Sequence, residues 1–119
     1  MKLFIKVRTS FEGIHRWKDA PDSVKFLRDY HRHMFHVNLL KEVYYYDREI
    51  EFITLKREVD NFLKDHYGLD KPTDSSCEFI AAELLLSFDL HLVEVSEDGE
   101  NGAVVVRTKE DLGSSKSPD

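Results

Sequence analysis

The sequence predicts an α+β domain: a four-stranded antiparallel sheet with two helices on one face, in the order strand, strand, helix, helix, strand, strand. Three observations carry that expectation. Apolar and polar residues alternate toward both ends of the chain. Their spacing widens to helical intervals in the middle, and turn-forming residues separate the segments.

Leu3, Ile5, Val7 and Thr9 alternate with Phe4, Lys6 and Arg8, giving a first strand that runs toward Phe11. Glu12 to Tyr30 is irregular and charged, with Gly13 and Ala20-Pro21-Asp22-Ser23, and reads as a long loop holding at most a short helical turn. A period of two returns at Tyr30 and runs through His31 to Leu40 toward Tyr46, a long second strand. Phe52, Leu55, Val59, Phe62 and Leu63 then fall at helical intervals, so an amphipathic helix covers Phe52 to Lys64. Gly68, Pro72 and Thr73-Asp74-Ser75 break it. Ser75 or Ser76 caps a second helix, with Glu78 in its first turn and Ala81, Leu84, Leu85 and Phe88 as its buried stripe. His91 to Ser96 and Ala103 to Thr108 read as two strands joined by the turn-rich Glu97-Asp98-Gly99-Glu100-Asn101-Gly102. Residues 1–110 thus form a single domain, and 111–119 read as a flexible tail. A sheet this small leaves two edges that need covering or pairing with another subunit.

Composition narrows the function classes. The chain has 119 residues, 41% hydrophobic and 34% charged, which suits one soluble domain and excludes a membrane span. Seventeen basic against twenty-three acidic side chains give a net charge of −6, which argues against a broad nucleic-acid-binding surface. The lone Cys77 excludes an internal disulfide and any multi-cysteine metal site; at a helix start it reads as packing or capping. The N-terminal residues lack a secretory apolar stretch, so the expected compartment is the cytoplasm.

Six histidines are placed unevenly. His31 and His33 lie two apart on a strand, so both point to one face, while Arg32 and His36 point to the other. On residues alone this pair reads two ways. It is polar decoration of a solvated face, or it offers two imidazoles to one ion. In the second case His15, just past the end of the first strand, supplies a third ligand if the first two strands pair antiparallel. Zinc in catalytic sites takes three protein ligands and keeps one position open.

The ordered motifs resemble the family of 6-pyruvoyl- and 6-carboxy-tetrahydropterin synthases, zinc enzymes of the tunnelling fold. Phe11-Glu12-Gly13-Ile14-His15 is similar to that family's Phe-x-x-x-His, and His31-Arg32-His33-Met34-Phe35 to its His-Gly-His-x-Phe. Glu51-Phe52-Ile53-Thr54-Leu55-Lys56 is close to the segment that opens its first helix, and Asp65-His66 resembles the Asp-His pair after it. Ser76-Cys77-Glu78-Phe79-Ile80-Ala81 is similar to its Thr-Ser-Glu-x-x-Ala, and Glu97 to a glutamate near the end of the third strand. The likeness spans about Lys2 to Val106 in order. Two residues depart from it: Leu27 stands where the family has a catalytic cysteine or an acidic substitute, and Arg32 replaces the glycine of the paired-histidine motif.

The resemblance implies Zn2+ on His15, His31 and His33, Asp65 and His66 as a proton shuttle, and Glu97 with Glu78 holding a pterin. It implies a lyase acting on 7,8-dihydroneopterin triphosphate, on a route to queuosine or other 7-deazaguanines in the bacterial branch. It also implies a homo-oligomer, a trimer or hexamer whose sheets join into a barrel; the charge and hydropathy lead to the expectation of no nucleic-acid or membrane partner. Three neutral imidazoles would leave the ion's positive charge largely uncompensated, which favours a developing oxyanion. A variant that has lost catalysis and only binds a pterin is the alternative, because leucine cannot move a proton.

Overall fold

The computed structural model describes residues 1–108: strands β1 (Leu3–His15), β2 (His31–Val43), β3 (Leu92–Glu97) and β4 (Asn101–Val106), and helices α1 (Phe52–Tyr67) and α2 (Cys77–Phe88). The strands form one antiparallel sheet in the order β1-β2-β3-β4, with the helices inserted between β2 and β3. The architecture is therefore the expected α+β arrangement. The expected tail at 111–119 lies outside the described residues.

One face of the sheet carries the core. Along β1, β2 and β3 the odd-numbered residues turn inward, and Val7, Phe35, Val37, Leu39, Val93 and Val95 are all buried. Helix α1 packs over β1, and α2 over β3 and β4. Leu55, Val59 and Leu63 of α1 and Ile80, Ala81, Leu84 and Leu85 of α2 close the core from above. Phe88, expected in that stripe, packs partly buried at its margin. Burying a Leu, Val or Phe side chain stabilises by roughly 1.5–3 kcal/mol, so this single face supplies most of the driving force. No helix among the described residues is long and apolar enough to cross a membrane.

Strand β1 continues four residues past Phe11, so the first part of the expected loop is strand. The alternation persists there, but Gly13 hides it by occupying an inward position without a side chain. A Cβ on Gly13 would stand 2.9 Å from the Tyr67 carbonyl oxygen and 3.1 and 3.2 Å from the Phe11 and Phe35 rings. The rest of the expected loop contains a 3₁₀ stretch over Asp22–Arg28. Strand β2 stops at Val43 rather than reaching Tyr46, because the Glu49 carboxylate accepts from the Tyr44 and Tyr45 backbone N–H groups at 2.7 and 2.8 Å and turns the chain.

Helix α1 runs to Tyr67, beyond the expected Lys64, since Tyr67 repeats the buried spacing of Leu63. Glu51 caps its start by accepting from the Ile53 and Thr54 N–H groups, which holds that carboxyl below its usual value. At α2 the cap is Ser76, accepting from Phe79 N at 3.1 Å. Its C-terminus ends on Asp89 with φ 53°, and Lys41 Nζ donates to the Phe88 and Asp89 carbonyls at 2.7 and 3.1 Å. The β3–β4 turn is tighter than expected. It is centred on Asp98 and Gly99, with φ of 55° and 75°, and Glu97 O accepts from Glu100 N at 2.9 Å.

Candidate metal centre

At the end of the sheet where β1 stops and β2 starts, the inward face changes from apolar to imidazole. His15 pairs with His31 across the strands, and Gly13 pairs with His33. His15, His31 and His33 therefore extend the same inward rows that hold Phe11 and Phe35, while Arg32, Met34 and His36 face the other way. One ring nitrogen from each of the three lies within 4.8 Å of the others. His15 is buried at 7% exposure. This is the arrangement that the second of the two readings of the histidine pair requires.

The nitrogens on the far side of each ring are committed. His15 Nδ1 faces Ser75 O at 3.0 Å, His31 Nδ1 faces Asp29 O at 2.8 Å, and His33 Nδ1 faces Asp98 Oδ2 at 2.6 Å. Carbonyl and carboxylate oxygens only accept, so each Nδ1 carries a proton, and in a neutral ring Nε2 is then the nitrogen with the lone pair. Ser75 is held in turn by a strap along the end of β1. Thr73 N donates to Ile14 O, Arg16 N donates to Thr73 O, both at 3.1 Å, and Thr73 Oγ1 donates to Ser75 Oγ at 2.9 Å. Arg16 Nε adds a 2.8 Å bond to Asp74 and stacks over the Tyr30 ring.

Glu97, the last residue of β3, reaches into the cluster. Its Oε2 lies 2.9 Å from His15 Nε2 and its Oε1 lies 3.5 Å from His33 Nε2. His15 Nε2 is buried and makes no hydrogen bond of acceptable angle. A carboxylate oxygen against a lone-pair nitrogen is repulsive unless a proton or a metal cation stands between them. Burial, followed by the neighbouring His31 and His33, pulls His15 below the ordinary imidazole value, against the pull of Ser75 O and Glu97. Three converging imidazoles backed by oriented N–H groups could hold a metal ion. The expectation of an uncompensated positive charge is corrected: the Glu97 and Asp98 carboxylates both lie against the cluster.

An open cleft of about 830 Å³ lies over this centre. His15 and His31 line it, together with Glu97 and the start of α2. Glu78 lines it from the first turn of α2, so both residues expected to hold the substrate border the same space as the histidines. Cys77 borders it too, but burial pushes its thiol up to about 12, so it is a neutral packing group at physiological pH. Leu27, the departure from the family pattern, stands in the cleft wall. Arg32 projects to the opposite face and pairs with Glu12, clear of the cluster.

Asp65 and His66 are elsewhere in the single chain. Both are exposed on the last turn of α1, where His66 Nδ1 bonds Phe62 O at 2.8 Å and its ring stacks on Phe62. Neither borders the cleft. Asp98, by contrast, reads in the sequence only as a turn residue, and no spacing marks it as a neighbour of His33. Comparison with known protein families and with curated proteins finds no match to this chain.

Proposed function

We propose that this protein is a zinc-dependent lyase of the tetrahydropterin synthase type, acting on 7,8-dihydroneopterin triphosphate. The observation that carries the reading is the convergence of His15, His31 and His33, each with Nδ1 committed, beneath a cleft bordered by Glu97 and Glu78. Resemblance of the ordered motifs supplies the substrate class.

In this reading the three imidazoles hold the ion, and bound zinc supplies Lewis acidity toward the substrate hydroxyl next to the carbon that loses a proton. Glu97 accepts the amino group and ring N–H of the pterin, two parallel donors that match one carboxylate. Glu78 supports the far wall of the cleft. Leu27 holds no proton, so the acid–base work falls to other groups. Asp65 and His66, exposed on one subunit, reach the cleft of a neighbour in a homo-oligomer formed through the β1 and β4 edges, a trimer or a hexamer closed into a barrel. His66, its ring held by Phe62 O and with Asp65 beside it on the same turn, then shuttles the proton.

A second reading has a specific observation behind it: the cleft wall holds Leu27 where a proton-transfer group would stand. There the protein is a zinc-containing pterin-binding module without catalysis. Losing a general base costs roughly 10²–10⁴ in rate. Incubating zinc-loaded protein with dihydroneopterin triphosphate and following triphosphate release decides between them. Turnover above a His31→Ala control supports the lyase. Stoichiometric pterin binding, weakened by Glu97→Gln, without turnover supports the module.

A further inference from the structure

The three imidazoles are held differently on their far sides. His15 and His31 face backbone carbonyls, which any sequence would provide, whereas His33 faces a side chain. Its partner is half-exposed yet held at both carboxylate oxygens and at its backbone N–H. Asp98 Oδ2 lies 2.6 Å from His33 Nδ1, Asp98 Oδ1 accepts from Met34 N at 3.0 Å, and Asp98 N donates to Met34 O at 2.7 Å. The β3–β4 turn and the start of β2 are thereby locked together directly behind one ligand.

We infer that Asp98 is the positioning residue of the metal centre, fixing His33 in the Nδ1–H tautomer and aiming its Nε2 at the ion. The inference rests on the reading of His15, His31 and His33 as metal ligands. The turn by itself explains an aspartate with left-handed φ, and asparagine or glycine would serve that turn as well. It does not explain the forked carboxylate, in which one oxygen is spent on Met34 N–H and the other on the imidazole. An anionic acceptor behind a ligating imidazole fixes its tautomer and raises the basicity of the coordinating nitrogen. Because an ionised carboxylate has no proton to give, the proton of the His33–Asp98 bond must sit on Nδ1.

Asparagine at this position reverses the logic. Met34 N–H claims its oxygen, so the amide N–H₂ turns toward His33 Nδ1. That favours the Nε2–H tautomer, which has no lone pair on the metal side. Glycine keeps the turn and removes the partner altogether. The variants Asp98→Asn and Asp98→Gly therefore separate the turn from the ligand.

Two measurements test this on the full chain. The first is zinc affinity by competition with a chromophoric chelator. The second is the tautomer of His33 in metal-free protein, read from its ¹⁵N ring shifts at a pH where imidazoles are neutral. Expected are a fall in affinity of about 10–100-fold for Asp98→Asn, a smaller fall for Asp98→Gly, and movement of the His33 proton from Nδ1 to Nε2 in Asp98→Asn. The thermal midpoint of metal-free Asp98→Asn, which keeps the bond from Met34 N, should stay near that of the wild type. If the wild type binds one zinc and both variants bind it equally well, or His33 keeps its Nδ1 proton in Asp98→Asn, the positioning role is overturned. A wild type that binds no zinc overturns the metal reading itself, and the tautomer still reports separately on the hold of Asp98 over the ring.

Discussion

His15, His31 and His33 share one face of the sheet, and His36 lies on the other, which makes it the natural control. Replacing any of the three with alanine is expected to abolish stoichiometric zinc binding. His36→Ala is expected to leave it intact, since its ring cannot reach the cluster through the sheet. Equilibrium dialysis with elemental analysis checks both, and retained zinc in His15→Ala would count against the set. Cys77 gives a second residue-level expectation. Its thiol is buried and raised to about 12, so iodoacetamide should label folded protein at neutral pH far more slowly than urea-unfolded protein. Rapid labelling of the folded form would mean that the start of α2 opens. The shared face of His31 and His33 was legible in the sequence because a period of two places them together regardless of what surrounds them. Asp98 was not, because a turn aspartate looks the same whether it touches solvent or an imidazole.

Among the elements, β1 shows most clearly where pattern reading stops and packing takes over. Its inward row runs Val7, Thr9, Phe11, Gly13, His15, and the glycine breaks the apolar rhythm just where the chain of α1 comes closest. Gly13→Ala would press a methyl against the Tyr67 carbonyl and two aromatic rings. The expected cost is about 1–3 kcal/mol, read as a lower thermal midpoint, with weaker zinc binding because His15 lies two residues on. An unchanged midpoint would mean that α1 can move away freely. The paired helices and the four strands were readable from period alone. The element ends were not: the end of β2 depends on the Glu49 carboxylate, and the last turn of α1 on the burial of Tyr67, both contacts between residues that sequence spacing does not weigh. Asp65 and His66 are a related case. The motif names them, but the fold of one chain sets them on an exposed helix turn.

At the scale of the whole molecule, two buried acids set the alkaline limit of stability. Burial, then the hydrogen bond to Glu83, raises the Tyr67 phenol above its ordinary value of 10.0, and burial raises Cys77 from 9.0 to about 12. The unfolded chain therefore loses these protons first and binds fewer than the native state in that window. Stability should be level below about pH 9 and fall as the pH rises toward about 12. Urea titrations at stepped pH measure this, and a flat profile across the window would contradict the burial of both groups. The open edges at β1 and β4 lead to the expectation of a homo-oligomer, which sedimentation at micromolar concentration tests; a monomer would leave Asp65 and His66 without a cleft to serve.

The most direct measurement is the zinc content of the purified full chain, by elemental analysis after dialysis against excess zinc and then against metal-free buffer. One zinc per chain, absent from the His15→Ala, His31→Ala and His33→Ala variants, is the result this account requires. A wild type that emerges without metal, or variants that retain as much as the wild type, would contradict it.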